Sequence, residues 1–239
     1  MSALIATLVQ AFRGRTLFVH QSAELYGSDR VLLDIVLELT RRGGEAIVAL
    51  PHDGPLVQAL RAAGIETHVL GPMRVLKLTR AVLNPRGLWR LLRSIPDALR
   101  ALDACVAGRR IDAVHSNTLA VLAGALWSRR RQIPHLWHVH EIVERPRLAG
   151  RLFPRLVGRY ADRVLCNSAA TQRWLIDTNA SLAGRCELLH NGVADMGAGA
   201  SPNVLRKTFR PLGQRLTIGL VGRINRMKGH AVLIDAAER

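Results

Sequence analysis

Short apolar runs that alternate with stretches of helical period constrain this chain more than any other feature. Thr16 to His20 is partly β-branched and aromatic and leads to Tyr26-Gly27-Ser28-Asp29, which reads as a buried strand followed by a loop. From Arg30 the apolar positions Val31, Leu32, Ile35, Val36 and Leu39 recur at helical spacing until Gly43-Gly44, with Ser28 or Asp29 as the N-cap. Residues 46–50 form a second strand ending at Pro51, 56–63 a short helix closed by Gly64, and 65–70 a third strand. The middle repeats the order: a helical region over 85–107, broken or kinked near Pro96, then strand 111–115, helix 119–129, strand 135–140 and helix 154–160. Strand 163–166, helix 169–177 and a last strand 186–189 follow. Parallel neighbours need a crossover, and the crossover is usually helical, so the alternation predicts a doubly wound, mostly parallel α/β sheet of Rossmann type. Ligands of such sheets bind beyond the carboxyl ends of the strands, which points to the residues after strands one, four, five and seven.

A typical domain runs to about 100–200 residues, so 239 residues make one large domain or one domain and part of another. Composition favours the second. The run 195–201, Asp-Met-Gly-Ala-Gly-Ala-Ser, has neither apolar period nor bulk and reads as a linker. Beyond it come a strand at 216–221, a loop from Gly222 to Gly229 and a helix over 230–238. The expected organisation is an extension over 1–14, a Rossmann-like domain over 15–195, a linker over 196–215, and over 216–239 the opening strand, loop and helix of a truncated second Rossmann-like domain. The first fifteen residues lack the basic start and small-residue cleavage site of a signal peptide, and no stretch approaches the roughly 20 apolar residues of a membrane-spanning helix. Cys105, Cys166 and Cys186 are odd in number, far apart and without CxxC spacing, which argues against a disulfide framework or zinc knuckle and for a reducing cytosol.

The charge is strongly positive: 34 Lys and Arg against 18 Asp and Glu, a formal +16, and only Lys77, Lys207 and Lys228 are lysines. Such a field favours nucleic acid, anionic lipid or phosphorylated small molecules. Aromatic residues are 4%, thin for the base stacking on which single-strand binders rely, and no specific nucleic acid is expected.

Side chains alternate along a strand, so His138 and His140 share a face. A metal is not expected there: the stretch is strand-like, His140-Glu141-Ile142-Val143-Glu144 lacks the second histidine of a helical HExxH, and no other ligand set has zinc spacing. His140 and Glu141 sit where the fifth strand ends, the site position of an open sheet, although a satisfied structural histidine fits the same residues. The loop from Gly222 to Gly229 resembles an anion cradle, with Arg223 and Lys228 flanking a helix start. There is no GxxxxGK[ST], no GxGxxG in the first loop and no Asp-x-Asp, so kinase, NAD-dependent and metal-bridged readings lose their support.

Taken in order, Tyr26-Gly27-Ser28-Asp29-Arg30, His140-Glu141, Cys166-Asn167-Ser168, Asn191-Gly192-Val193 and Val221-Gly222-Arg223…Lys228-Gly229 resemble the retaining glycosyltransferases of family 4, which have the two-domain GT-B fold. The resemblance runs from Thr16 onward. It implies that the amino-terminal domain holds the acceptor, that a nucleotide-activated sugar such as a UDP- or GDP-sugar is the donor, and that no cofactor or metal is needed. His140 would lie at the reacting sugar as the catalytic residue. Arg223 and Lys228 would neutralise the diphosphate leaving group, and Gly27 and Ser28 would approach the donor phosphates or the acceptor. Glu141, Asn117 and Asn191 are further candidate contacts. The acceptor would be a saccharide or lipid-linked, in surface polysaccharide or glycolipid synthesis, with hexosyl transfer at the cytoplasmic face of the membrane. Two departures qualify this. Tyr26-Gly27 stands where members often have two glycines, and a pair of glutamates late in the second domain has no counterpart. A complete second domain would take on the order of 150 further residues, so a fragment, inactive alone, is expected. A non-catalytic basic binding module and a GT-B nucleotide-sugar epimerase are the alternatives.

Arg147, Arg151, Arg155, Arg159 and Arg163 recur every four residues beside Leu148, Leu152, Leu156 and Tyr160, as in a basic amphipathic helix, although Pro154 and Gly158 weaken a continuous one. A solvated face and a membrane-docking face both fit this pattern.

Overall fold

A computed structural model describes residues 14–78, 84–192, 218–222, 224 and 228–238, and divides the chain into two compact units, Met1–Gly192 and Val193–Arg239. In the first unit seven strands, β1 (Arg15–His20), β2 (Glu45–Leu50), β3 (Glu66–Val69), β4 (Ala113–Asn117), β5 (His135–Val139), β6 (Arg163–Cys166) and β7 (Cys186–Leu188), form one sheet in the order β3-β2-β1-β4-β5-β6-β7. Every pairing is parallel. The crossovers are α1 (Gly27–Arg41), α2 (Pro55–Ala62), α3 (Pro85–Val106), α4 (Ala123–Arg131), α5 (Arg147–Tyr160) and α6 (Ala169–Thr178). The strand order reverses between β1 and β4, which makes their carboxyl ends the topological switch point where such sheets take ligands.

The strands read as unbroken apolar runs because helices cover them on both faces. Phe18, Val48 and Leu50 pack under Leu32, Val36, Leu56 and Leu60 of α1 and α2. On the opposite face Leu17, Val19 and Val114 meet Leu91, Leu102 and Trp127 of α3 and α4, and farther along Trp137, Val139 and Val164 meet Val157 and Leu175 of α5 and α6. Over β4 to β6, the face that α1 and α2 cover elsewhere becomes the wall of a groove of about 780 Å³, lined by His115, His138 and Leu165 of the sheet and by Val31, Ile35 and Leu39 of α1. The three cysteines are buried and free.

Several expectations are corrected. α1 begins at Gly27, so Gly27, Ser28 and Asp29 form its first turn and Tyr26 is the N-cap; the Asp29 carboxylate accepts the Tyr26 N–H at 3.0 Å. β4 extends to Asn117 because Ser116 and Asn117, poor strand formers, pair with Val19 and His20 of β1. That extension delays α4 to Ala123, with Val121 bridged to Lys77 instead. α3 passes through Pro96 as one helix, holding Leu91, Ala98, Leu102 and Cys105 in the core on either side of it. α5 is likewise continuous through Pro154 and Gly158. Pro154 is buried, its carbonyl accepts from Asn179 Nδ2 at 2.9 Å, and a Cβ at position 158 would collide with that same amide. In the second unit residues 218–221 belong to no strand, with Ile218 and Val221 exposed, and α7 (His230–Ala237) is the α-helix among its described residues. The expected linker lies outside the described residues.

Gly124 shows how tightly α4 seats on the sheet. A Cβ there would overlap Ser116 Oγ and lie 3.2 Å from Val114 Cγ1 and 3.3 Å from Val19 Cγ2. Gly124→Ala is expected to lower stability by about 1–3 kcal/mol through overpacking, read from the urea midpoint. Gly27→Ala, whose Cβ meets nothing within 4 Å, is expected to stay within about 1 kcal/mol of wild type.

Candidate active site

At the switch point the last residues of β1, β4 and β5 and the first turn of α1 form one hydrogen-bonded chain. His20 Nε2 lies 2.6 Å from Asp29 Oδ1, and both residues are buried. A carboxylate only accepts, so Nε2 donates, while Nδ1 lies 3.2 Å from the main-chain carbonyl of Asn117. Asn117 Nδ2 donates to the Ser28 carbonyl at 3.0 Å, which fixes the orientation of the amide, and lies 3.1 Å from that Nδ1. Asn117 Oδ1 therefore faces His140 Nε2 at 2.8 Å, and His140 Nε2 must donate. This leaves His140 Nδ1 as an acceptor, with no hydrogen bond among the described residues. The His140 main chain is fixed as well: its carbonyl accepts from Asn167 Nδ2 at 3.1 Å, and Asn167 Oδ1 accepts from Thr171 Oγ1 at 3.0 Å. Ser168 Oγ accepts the Thr171 N–H and caps α6, so the Cys166-Asn167-Ser168 motif serves to hold His140 in place.

The electrostatics agree with this proton pattern. Burial, reinforced by the charge of the His20 ring, lowers His140 to about 4, against a weaker opposite pull from Asp29, so the imidazole is neutral at pH 7. Burial alone would raise the Asp29 carboxyl, but its hydrogen bond to His20, that ring's charge and the Tyr26 N–H together hold it below the usual range. Glu141, half-buried next to His140, has its carboxyl raised by burial, only partly offset by main-chain N–H groups such as that of Leu119. The site thus combines a neutral imidazole acceptor with an easily protonated carboxyl, a pairing suited to holding hydroxyl groups and handling a proton rather than to binding an anion.

The structure brings His140, Glu141, Asn117 and Ser28 together. Asn117 is not open to a ligand as its candidacy required: it is fully buried and its amide is bonded through both its nitrogen and its oxygen. Gly27 lies exposed at the amino end of α1, with open space above its Cα. Asn191 is exposed and lines the 780 Å³ groove with His115 and His138, and no hydrogen bond joins it to the His140 chain among the described residues. Lys228 immediately precedes the N-cap of α7 in the second unit, with its stem over Gly222; Arg223 lies outside the described residues. His20 and Asp29 were not expected at the site. The signal was present in a histidine ending the first strand and an aspartate in the turn after it, at the switch-point end of the sheet.

Three buried histidines and the half-buried His140 make stability depend on pH. Burial lowers His115 to about 3, His135 and His140 to about 4, and His138 well below its ordinary value. An unfolded histidine takes a proton near pH 6.5 while these stay neutral, so stability is full above that pH and is lost as pH falls toward 4, at about 1.4 kcal/mol per pH unit for each ring. The urea midpoint should fall steadily between about pH 6.5 and pH 4.5, and less steeply in His135→Gln; a flat profile would contradict the burial of these rings.

A family model described as Glycosyltransferase Family 4 matches residues 26–195. No curated protein matches by sequence. Among solved structures the chain resembles HepE of Anabaena in complexes with UDP and with UDP-glucose, at 24% identity, TM-scores of 0.66 and 0.67, and coverage of 93% of this chain and 57% of HepE. It also resembles a glycosyltransferase of Rickettsia africae, at 17% identity, TM-score 0.64, and 93% and 56% coverage. A UDP-GlcNAc 2-epimerase of Neisseria meningitidis follows at 13% identity, TM-score 0.51, and 74% and 46% coverage. These likenesses establish a shared Rossmann-like, GT-B type fold, and the chain spans about half the length of these neighbours.

Proposed function

Because the chain belongs to Glycosyltransferase Family 4, we propose that its switch-point site serves transfer of a hexosyl group from a nucleotide-sugar to a saccharide or lipid-linked acceptor. The observation that carries this is His140, held neutral, with Nε2 donated to Asn117 and Nδ1 left as an acceptor. In the reaction the acceptor oxygen bonds to the anomeric carbon, and the bond from that carbon to the diphosphate oxygen breaks. The electron pair leaves with the diphosphate, and the acceptor's proton is released. Retention follows if attack comes from the face the diphosphate leaves. His140 accepts a hydrogen bond from a hydroxyl of the transferring sugar and orients the ring. Glu141 holds the acceptor end. The exposed amino end of α1 at Gly27 and Ser28 meets phosphate or acceptor, and Arg223 and Lys228 neutralise the leaving diphosphate. The reading invokes no metal and no cofactor. HepE with UDP-glucose and UDP supports a uridine donor.

The test is release of nucleoside diphosphate from a panel of UDP- and GDP-sugars in the presence of acceptor saccharides. Release that depends on the acceptor, with a glycoside as product, supports transfer. A freed nucleotide with an epimerised sugar supports instead the second reading raised by the epimerase neighbour.

The same proposal places the protein at the cytoplasmic face of a membrane, in surface polysaccharide or glycolipid synthesis. Among the described residues no helix is long and apolar enough to cross a membrane. Arg147, Arg151, Arg155 and Arg159 are exposed along α5, and Leu148 and Leu152 stand beside them at 71% and 47% exposure. Cations near an anionic surface contribute roughly 1 kcal/mol each. Vesicles of phosphatidylglycerol are expected to bind the protein at low salt and release it at high salt; equal binding to phosphatidylcholine would contradict this.

A further inference from the structure

A second cavity, of about 510 Å³, opens between α3 and α5. Leu88, Leu92 and Ile95 of α3 face Leu152 and Leu156 of α5 across it. Of all its lining residues only Glu141, Arg145 and Tyr160 carry polar side-chain groups. Glu141 directly follows His140 in sequence, so the groove ends beside the candidate active site. Its size suits a small-molecule ligand, but a saccharide would bury hydroxyls against hydrocarbon without partners.

Arg145 is the one cation among the lining residues, and the two helices that form the walls are basic. Arg86, Arg90 and Arg93 are exposed on α3, and Arg147, Arg151 and Arg155 on α5, which carries no acidic residue. Trp89 and Leu148 stand out at 60% and 71% exposure, and the Arg93 guanidinium lies 4.9 Å from the Trp89 ring centre. An apolar trough with Arg145 in its wall, between two basic helices, complements an amphiphile with a hydrocarbon chain and an anionic head, and the flanking tryptophan and leucines match an interfacial surface.

We propose that this groove holds the hydrocarbon chain of a lipid-linked acceptor, its anionic part against Arg145 and its reacting end at Glu141 and His140. The word acceptor rests on the transferase reading; the chain-binding groove does not. In this arrangement the acceptor is drawn from a membrane along the α3–α5 cleft, and Arg145 and the groove select one molecule by its two ends.

Dodecyl phosphate below its micellar concentration and inorganic phosphate separate the hydrocarbon contribution from the charge. The protein is expected to bind dodecyl phosphate at least tenfold more tightly than inorganic phosphate. The double variant Leu92→Glu/Leu152→Glu, at positions 54% and 47% exposed, should lose that preference while keeping the wild-type circular dichroism. Leu37→Glu, exposed on α1 outside the groove, should keep it. Equal affinity for the two phosphates, or a double variant that binds as wild type does, would overturn the proposal. So would binding that appears only after residues 1–12 are deleted, since the chain's own apolar start would then be the occupant. A protein that transfers sugar to soluble saccharides yet shows no preference for dodecyl phosphate loses the groove and keeps the transferase reading. One that binds dodecyl phosphate and transfers nothing does the reverse.

Discussion

Replacing His140 by alanine is expected to lower sugar transfer by about 10²- to 10³-fold, the scale of losing one preorganised hydrogen-bonding group at a reacting centre. The loss should fall on kcat more than on KM, because the contact is proposed to matter most as the sugar flattens and its hydroxyls are held in one orientation. Folding should be little affected, since His140 is only partly buried and its main chain is held independently by Asn167. His140→Gln is the informative companion: its amide can donate to Asn117 Oδ1 and still present an oxygen acceptor, so it should recover part of the rate. Asn117→Leu should resemble His140→Ala in rate although Asn117 touches no ligand, because without it nothing fixes which imidazole nitrogen carries the hydrogen. An alanine variant that transfers sugar at the wild-type rate would remove His140 from the chemistry.

His20→Leu is expected to cost about 3–5 kcal/mol of folding stability, because it leaves the buried Asp29 without its partner. The carboxylate keeps the Tyr26 N–H and the Ser22 hydroxyl but loses the ring that offsets most of its burial, and its folded pKa should rise above the unfolded value. Wild-type Asp29, held low, stabilises the fold above its unfolded pKa and loses that contribution as pH falls through the folded one. In His20→Leu the sign reverses, so the variant should regain stability on mild acidification, as Asp29 takes up a proton. The double variant His20→Leu/Asp29→Leu should recover most of the loss, since replacing both partners leaves no unpaired charge. Unfolding in urea measures both, and a single variant as stable as wild type would show that the pair does not hold the first turn of α1 to β1.

Much of the sheet was legible because its strands are apolar runs separated by helical periods, and this gave the parallel pairing and the strand ends to inspect, whereas the strand order and its switch point come from the structure. What periodicity misread lies where tertiary pairing overrides local preference. Ser116 and Asn117 look like the start of a loop but are strand residues, because β1 supplies their partners and buries them. Pro96 and Pro154 look like helix breaks but sit inside α3 and α5, where packing on both sides outweighs the lost backbone bond. At the site, His140 and Glu141 could be placed from their position at a strand end. The relay through His20 and Asp29 could not, because it joins residues nearly a hundred positions apart whose hydrogen bonds depend on strand register. For the same reason Asn117 reads as a ligand contact in sequence and as a positioning residue in the structure. The apolar groove between α3 and α5 was half visible, in the arginine and leucine stripe of α5, but its second wall belongs to α3.

The most direct test is the imidazole ¹⁵N spectrum of the histidine-labelled protein, with His140 assigned through His140→Gln. Without ligand, His140 is expected to show a protonated Nε2 and an unprotonated Nδ1 at neutral pH. As a nucleotide-sugar from the UDP and GDP panel is added, the Nδ1 signal should shift in the direction of hydrogen-bond acceptance, while His68 on β3 stays unmoved. A His140 protonated on Nδ1, or unchanged at saturating concentrations of every nucleotide-sugar, would contradict the assignment of this switch-point site to sugar transfer.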